Sequence, residues 1–240
     1  MESTVRRTKG REIKETAGLL KKSLKSFMIT NHLKEKCLLK ICGVVSPYLA
    51  VVLGVFYFKN GFLSVLAYHL VLLTCIIGIN KSGAVKLILS GFHWQIGSII
   101  CLAGLLPGLV IFFLWPIAKL ESVRIAQLLE SINLTGTSFI VFALYSCFVN
   151  PVLEESFWRG CFKSRSWAPN YVDVLFAGYH AVAILPVVRP LFVLLTFATL
   201  TGVGWLFRVI YYLTGGLLIP ILTHIIADIA ILLAIWEIMR

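Results

Sequence analysis

The chain has 240 residues, of which 59% are hydrophobic and 14% charged, whereas soluble domains run at roughly 45–50% apolar and about 25% charged. A mean hydropathy of +0.91 excludes an ordinary water-soluble domain, and at about 20 residues per transmembrane helix the length allows seven to eight spans. The net charge of +11 is concentrated: residues 1–40 hold eleven of the 22 Lys and Arg, among them Arg6, Arg7, Lys9 and Arg11. A basic arm can bind nucleic acid. Placed before the first apolar run, this one reads instead as a positive-inside signal on anionic lipid, with the N-terminus cytoplasmic and no nucleic-acid partner. Within it, Ile13 to Phe27 has the character of a surface helix too polar to span.

The apolar runs follow in chain order. The first is Ile41 to Phe58 and the second Phe62 to Ile79. Ala84 to Trp94, with Lys86 and His93, reads as interfacial. The third is Ile96 to Ile117, with Pro107 inside it, and Lys119 to Leu134 reads as a loop or surface helix. The fourth is Thr137 to Phe162, the fifth Val172 to Val187, the sixth Leu191 to Leu213 and the seventh Gly215 to Trp236. Backbone groups in lipid need internal partners, so these runs are helices and the fold class is all-α, a polytopic transmembrane helical bundle. Residues 1–40 form a basic extension and 41–240 one membrane domain. Gly104 and Gly108 have the spacing of a close helix contact. The six cysteines show no metal or redox motif, and most sit in apolar runs where Cys acts as a small hydrophobe.

Ionisable groups at membrane depth are expensive, and function is the first hypothesis for them. Three places qualify, each with the i, i+4 spacing that stacks two side chains on one helix face. In Glu154-Glu155-Ser156-Phe157-Trp158-Arg159, Glu155 can pair with Arg159, while Glu154, about 100° around the helix, points elsewhere. The alternative is that all three are solvated at a helix end. In Phe176-Ala177-Gly178-Tyr179-His180, Phe176 can wall a pocket beneath His180, or His180 can be a packing residue. Gly178 leaves room for a close approach. In His224-Ile225-Ile226-Ala227-Asp228, the His and Asp can pair locally or face one cavity together. Asn150-Pro151 can break the fourth helix just before the acids, and Asp173 reads as the cap of the fifth. His69 and His93 lack acidic neighbours at helical spacing. No zinc-protease helix, serine nucleophile elbow or phosphate loop occurs.

The order Glu-Glu-x-x-x-Arg, Phe-x-x-x-His, His-x-x-x-Asp on separate helices resembles the CPBP family, the CAAX-processing and bacteriocin-processing intramembrane endopeptidases, also called the Abi family. The resemblance covers residues 138–240. It implies a membrane peptidase in which Glu154 activates water, Glu155 and Arg159 with Phe176 support the site, and His180, His224 and Asp228 complete it. It leaves the mechanism open between a metal-free glutamate protease and a zinc enzyme held by His180, His224, Asp228 and Glu154. The family often has Asn at the last motif position. Asp228 can donate a hydrogen bond only when protonated, which weakens an oxyanion role for it. The implied substrate is a peptide or protein, prenylated in the CAAX type, reached through membrane lipid. Two other readings of the same residues are a non-catalytic scaffold or immunity protein and a proton-coupled transporter.

Overall fold

The structure, a computed structural model, describes residues 33–80, 84–162, 164 and 166–240. The expected surface helix Ile13 to Phe27 lies outside them. Two compact units divide the chain, Met1–Ile41 and Cys42–Arg240. Of the first only residues 33–41 are described, and they are helical.

Most of the described residues are helical, with an isolated bridge between Lys119 and Val188. Helix α1 is Leu33–Tyr57, its last eight residues wound as a π-helix, Ala50–Tyr57. Then come α2 (Gly61–Asn80), α3 (Ala84–Ile88), α4 (Trp94–Ala103), α5 (Leu106–Ala118), α6 (Ile125–Ser131), α7 (Gly136–Phe148), α8 (Asn150–Trp158), α9 (Tyr171–Ile184), α10 (Pro190–Thr214) and α11 (Leu218–Met239). The interfacial stretch after α2 is the short α3, and the mixed stretch after α5 contains α6.

By length and composition six helices among the described residues can cross a membrane, with α4 and α5 joined as one and α7 and α8 as another. The fifth apolar run yields only α9, 14 residues or about 21 Å, because Leu185 to Val188 are equally apolar but form a turn before Pro190. Helix α9 still traverses the bundle. Its first turn meets α10 near that helix's C-terminal end, through Asp173 and Arg208, and a turn of residues 185–189 joins its last residue to the start of α10.

Two prolines act where their missing N–H groups do no harm. Pro107 and Pro151 sit in the first turns of α5 and α8, where helix donors are unpaired anyway. The third run therefore breaks at Gly104-Leu105 and the fourth at Val149. Around the bundle large apolar side chains face outward; Leu63, Leu70 and Ile77 form a lipid-facing stripe on α2, while Tyr68, His69 and Leu72 turn inward.

Gly104 and Gly108 meet α11. A Cβ on Gly104 would lie 2.8 Å from the Thr223 carbonyl, and one on Gly108 would run into Ala230. The pair lets the end of α4 and the start of α5 lie against the backbone of the helix that carries His224 and Asp228. The N–H groups of Leu217 and Leu218 donate to the Leu87 and Ser90 carbonyls at 2.9 and 3.1 Å, so the end of α3 and the segment after it serve the N-terminal end of α11.

Candidate active site

The break at Val149 sets the register of α8. Glu154 and Glu155 are 1% and 0% exposed and Arg159 is 2% exposed, which overturns solvation at a helix end. Arg159 Nη1 donates to Glu155 Oε1 at 3.2 Å. Its guanidinium also lies over the Phe176 ring, 4.2 Å from the centroid. Phe176 thus holds the cation by its π-face. Gly204 of α10 admits the same guanidinium, since a Cβ there would lie 3.3 Å from Nη2.

Glu154 points away from Arg159, as its position on the helix requires. Its Oε1 accepts from the phenol of Tyr68 at 2.9 Å and from that of Tyr179. Its buried Oε2 accepts no hydrogen bond. The Trp158 indole donates to the Tyr68 oxygen at 3.3 Å, fixing that phenol in turn.

The two histidines differ from expectation in what orients them. His224 Nδ1 lies 3.0 Å from Glu155 Oε1, while its Nε2 lies 3.6 Å from Asp228 Oδ1 and 3.9 Å from Glu154 Oε2. Glu155, not Asp228, therefore sets the tautomer: a carboxylate accepts the Nδ1 proton, and Nε2 is presented to Glu154 and Asp228. His180 Nδ1 lies 2.9 Å from the Phe176 carbonyl one turn back, so it too carries its proton on Nδ1. Its ring meets Phe176 edge-on and lies beside Tyr179. The space over Gly178 is taken by the Tyr48 phenol, which donates to the Leu175 carbonyl at 2.7 Å.

Four residues of this network went unnoticed or undervalued in the sequence. Besides Tyr68 and Tyr179 they are His69 and Asn150. His69 is buried and stands between the Tyr145 hydroxyl (2.8 Å from Nδ1) and Asn150 Oδ1 (2.9 Å from Nε2). Asn150 Nδ2 then faces Asp228 Oδ2 at 3.5 Å. The signal available was position alone: Asn150 precedes Glu154 by one turn, and Tyr68 shares a helix face with Leu72 and Ser64.

A separate buried pair braces the segment between α8 and α9. Arg208 grips Asp173 through Nε and Nη2, at 3.1 and 2.8 Å. It also donates to the carbonyls of Ser166 and Ala168. Asn170, rather than Asp173, is the cap of α9, and Asp173 closes the reciprocal capping box at N3.

Glu154 Oε1 is taken by two phenols, and the Nδ1 atoms of His180 and His224 are taken by a carbonyl and a carboxylate, which leaves Glu154 Oε2, Asp228 and the two Nε2 atoms as the groups a zinc ion would use. Among the described residues no three His, Cys, Asp or Glu side chains stand where they could hold one ion.

Residues 136–230, which carry all three motifs, match the family described as type II CAAX prenyl endopeptidase Rce1-like. This segment belongs to the CAAX-protease family. No curated protein and no solved structure matches the chain. That segment, set among six described helices long and apolar enough to cross a membrane, makes the protein an integral, multi-pass membrane protein.

Proposed function

We propose that the chain is an intramembrane endopeptidase of the CAAX-protease type, hydrolysing a peptide bond of a membrane-associated or prenylated substrate with Glu154 as general base. The observation that carries this reading is Glu154 itself. One oxygen is fixed by Tyr68 and Tyr179, and the other is buried without a hydrogen bond, 3.9 Å from His224 Nε2. Groups at that separation can share one water molecule. The water oxygen bonds to the carbonyl carbon while its proton passes to Glu154 Oε2. The tetrahedral intermediate then expels the amine as the C–N bond breaks, and Glu154 returns the proton to that nitrogen. The products are a carboxylic acid and an amine, which leave as carboxylate and ammonium once the acid's proton passes to the amine. Glu155 and Arg159 hold His224, while His180 and Asp228 border the substrate.

Depth supports a substrate that approaches from one membrane face. His224 lies six residues into α11, about 9 Å from its N-terminal end, and Glu154 is four residues from the end of α8 on the same side. Under the positive-inside reading that side is cytoplasmic, where prenylated C-termini reside.

The test is cleavage of a peptide library, with farnesylated members, by purified protein in detergent. Wild type and Glu154→Gln are compared with and without chelator. Cleavage by wild type that is lost in Glu154→Gln and unaffected by chelator supports the reading. Equal cleavage by the variant, or none by wild type, rejects it, and a chelator-sensitive activity restored by zinc rejects its metal-free form.

A further inference from the structure

Hydrolysis at Glu154 needs a hydrogen-bond donor for the oxygen of the attacked carbonyl, because that oxygen becomes an anion. The groups around Glu154 are rich in acceptors and poor in donors. Tyr68 and Tyr179 each have one hydroxyl hydrogen, and both point at Glu154 Oε1. The Nδ1 protons of His180 and His224 go to the Phe176 carbonyl and to Glu155, and His224 Nε2 faces the carboxylates of Asp228 and Glu154 at 3.6 and 3.9 Å, so a proton there is directed at them. Ionised Asp228 offers only acceptors. Arg159 is packed against Phe176 and Gly204, on the α9 and α10 side.

One amide remains. Asn150 and Glu154 are four residues apart on α8 and share a face, about 6 Å apart along the axis. His224 and Asp228 repeat that spacing on α11. The two pairs face each other, Glu154 opposite His224 and Asn150 opposite Asp228.

The sense of the Asn150 amide follows from its neighbours. Its Oδ1 can only accept, so His69 Nε2 carries the proton and His69 Nδ1 accepts from the Tyr145 hydroxyl. A flipped amide would set its oxygen against the Asp228 carboxylate. Nδ2 therefore faces Asp228 and gives it one hydrogen. The second hydrogen has no protein acceptor among the described residues, and Asn150 is only partly buried.

We propose that Asn150 is a further catalytic residue, whose amide donates to the carbonyl oxygen of the scissile bond, and that His69 and Asp228 are the positioning residues that hold it in that sense. The inference rests on Glu154 as the base. The scissile carbonyl then lies between the two turns of α8, with water at Glu154 and its oxygen at Asn150.

The experiment measures kcat, KM and thermal unfolding in detergent, on the library peptide that wild type cleaves fastest, for Asn150→Asp, Asn150→Ala, His69→Gln, His69→Leu and Glu154→Gln. Asn150→Asp keeps the shape and removes the amide hydrogens. It should lower kcat about 10²- to 10³-fold, the loss typical of one oxyanion donor, with KM changed less than about threefold. Asn150→Ala should do the same. His69→Gln keeps an N–H near the Nε2 position and should hold kcat within about tenfold of wild type, whereas His69→Leu should fall as far as Asn150→Asp. If Glu154→Gln is inactive while either Asn150→Ala or His69→Leu keeps kcat within about threefold, the amide role is overturned and the base stands. An active Glu154→Gln overturns the base, and this inference with it. Should Asn150→Asp unfold, through two facing carboxylates, Asn150→Ala and the His69 pair decide.

Discussion

Glu155 accepts from Arg159 on its own helix and from His224 on α11, so one buried carboxylate fixes both the helix that bears the base and the imidazole facing it. Arg159→Met would leave that carboxylate with His224 alone. Breaking a buried pair from one side costs about 3–5 kcal/mol, and unfolding of the variant in detergent should show a loss of that order together with lost cleavage. A change below about 1 kcal/mol would mean that the pair is already loosened in the folded protein. The phenols act on the other acid. A hydrogen bond to a charged group contributes about 1.5–3 kcal/mol, so Tyr68→Phe and Tyr179→Phe should each lower kcat roughly ten- to a hundredfold, and the double variant further. Unchanged kcat in both would detach Glu154 Oε1 from the chemistry. These partners were not readable in the sequence. The spacing of Glu155 and Arg159 was, because a single helix determines it. Tyr68 lies 86 residues from Glu154, and only lateral packing selects it from the other aromatic residues of the apolar runs.

Between elements, small residues decide how closely the catalytic helices approach. Gly108→Val would drive a branched side chain into the Ala230 backbone. Overpacking of this kind costs about 1–3 kcal/mol, and it would shift α11 beneath His224 and Asp228. Reduced thermal stability and reduced kcat are both expected. Gly202→Ala, on an exposed face of α10 with no atom near the added carbon, should leave kcat unchanged and serves as the comparison. Equal behaviour of the two variants would remove the packing argument. The Gly104 and Gly108 spacing was legible, as was the break at Asn150-Pro151. The brace of Arg208 on Asp173 was not. Arg208 stands alone in a long apolar run, and its acidic partner lies on α9, 35 residues earlier. Cutting it with Asp173→Asn should open the segment before α9 to added protease, while a cleavage pattern like that of wild type would show that the carbonyl contacts of Arg208 suffice.

For the molecule as a whole, hydropathy counted seven runs; among the described residues six helices are long and apolar enough to cross a membrane, and the fifth run yields the shorter α9. Helix α9 falls short of the roughly 30 Å hydrocarbon core, so its ends must be served by protein. The Asp173–Arg208 brace does this at one end. At the other the Arg189 amide donates to the Ala118 carbonyl at 2.8 Å and the Leu120 amide to Val187 at 3.1 Å. This arrangement sorts the connections into two faces. The segment after α3, the one between α8 and α9, and the turn before α11 share one face, tied by Leu218 to Ser90. The segments after α1 and α5 and the end of α11 share the other, tied by Gly61 to Ile132 and by the stacking of Phe139 on Trp236. In a variant with its native cysteines replaced, single cysteines at Ala168, Glu121 and Arg240 should separate cleanly. A membrane-impermeant maleimide should reach Ala168→Cys from one side only, and Glu121→Cys and Arg240→Cys only from the opposite side. Three helices lie between residues 168 and 240. Labelling of Ala168→Cys and Arg240→Cys from the same side would therefore mean that α9 does not traverse, and would set Tyr179 and His180 at a different depth from Glu154.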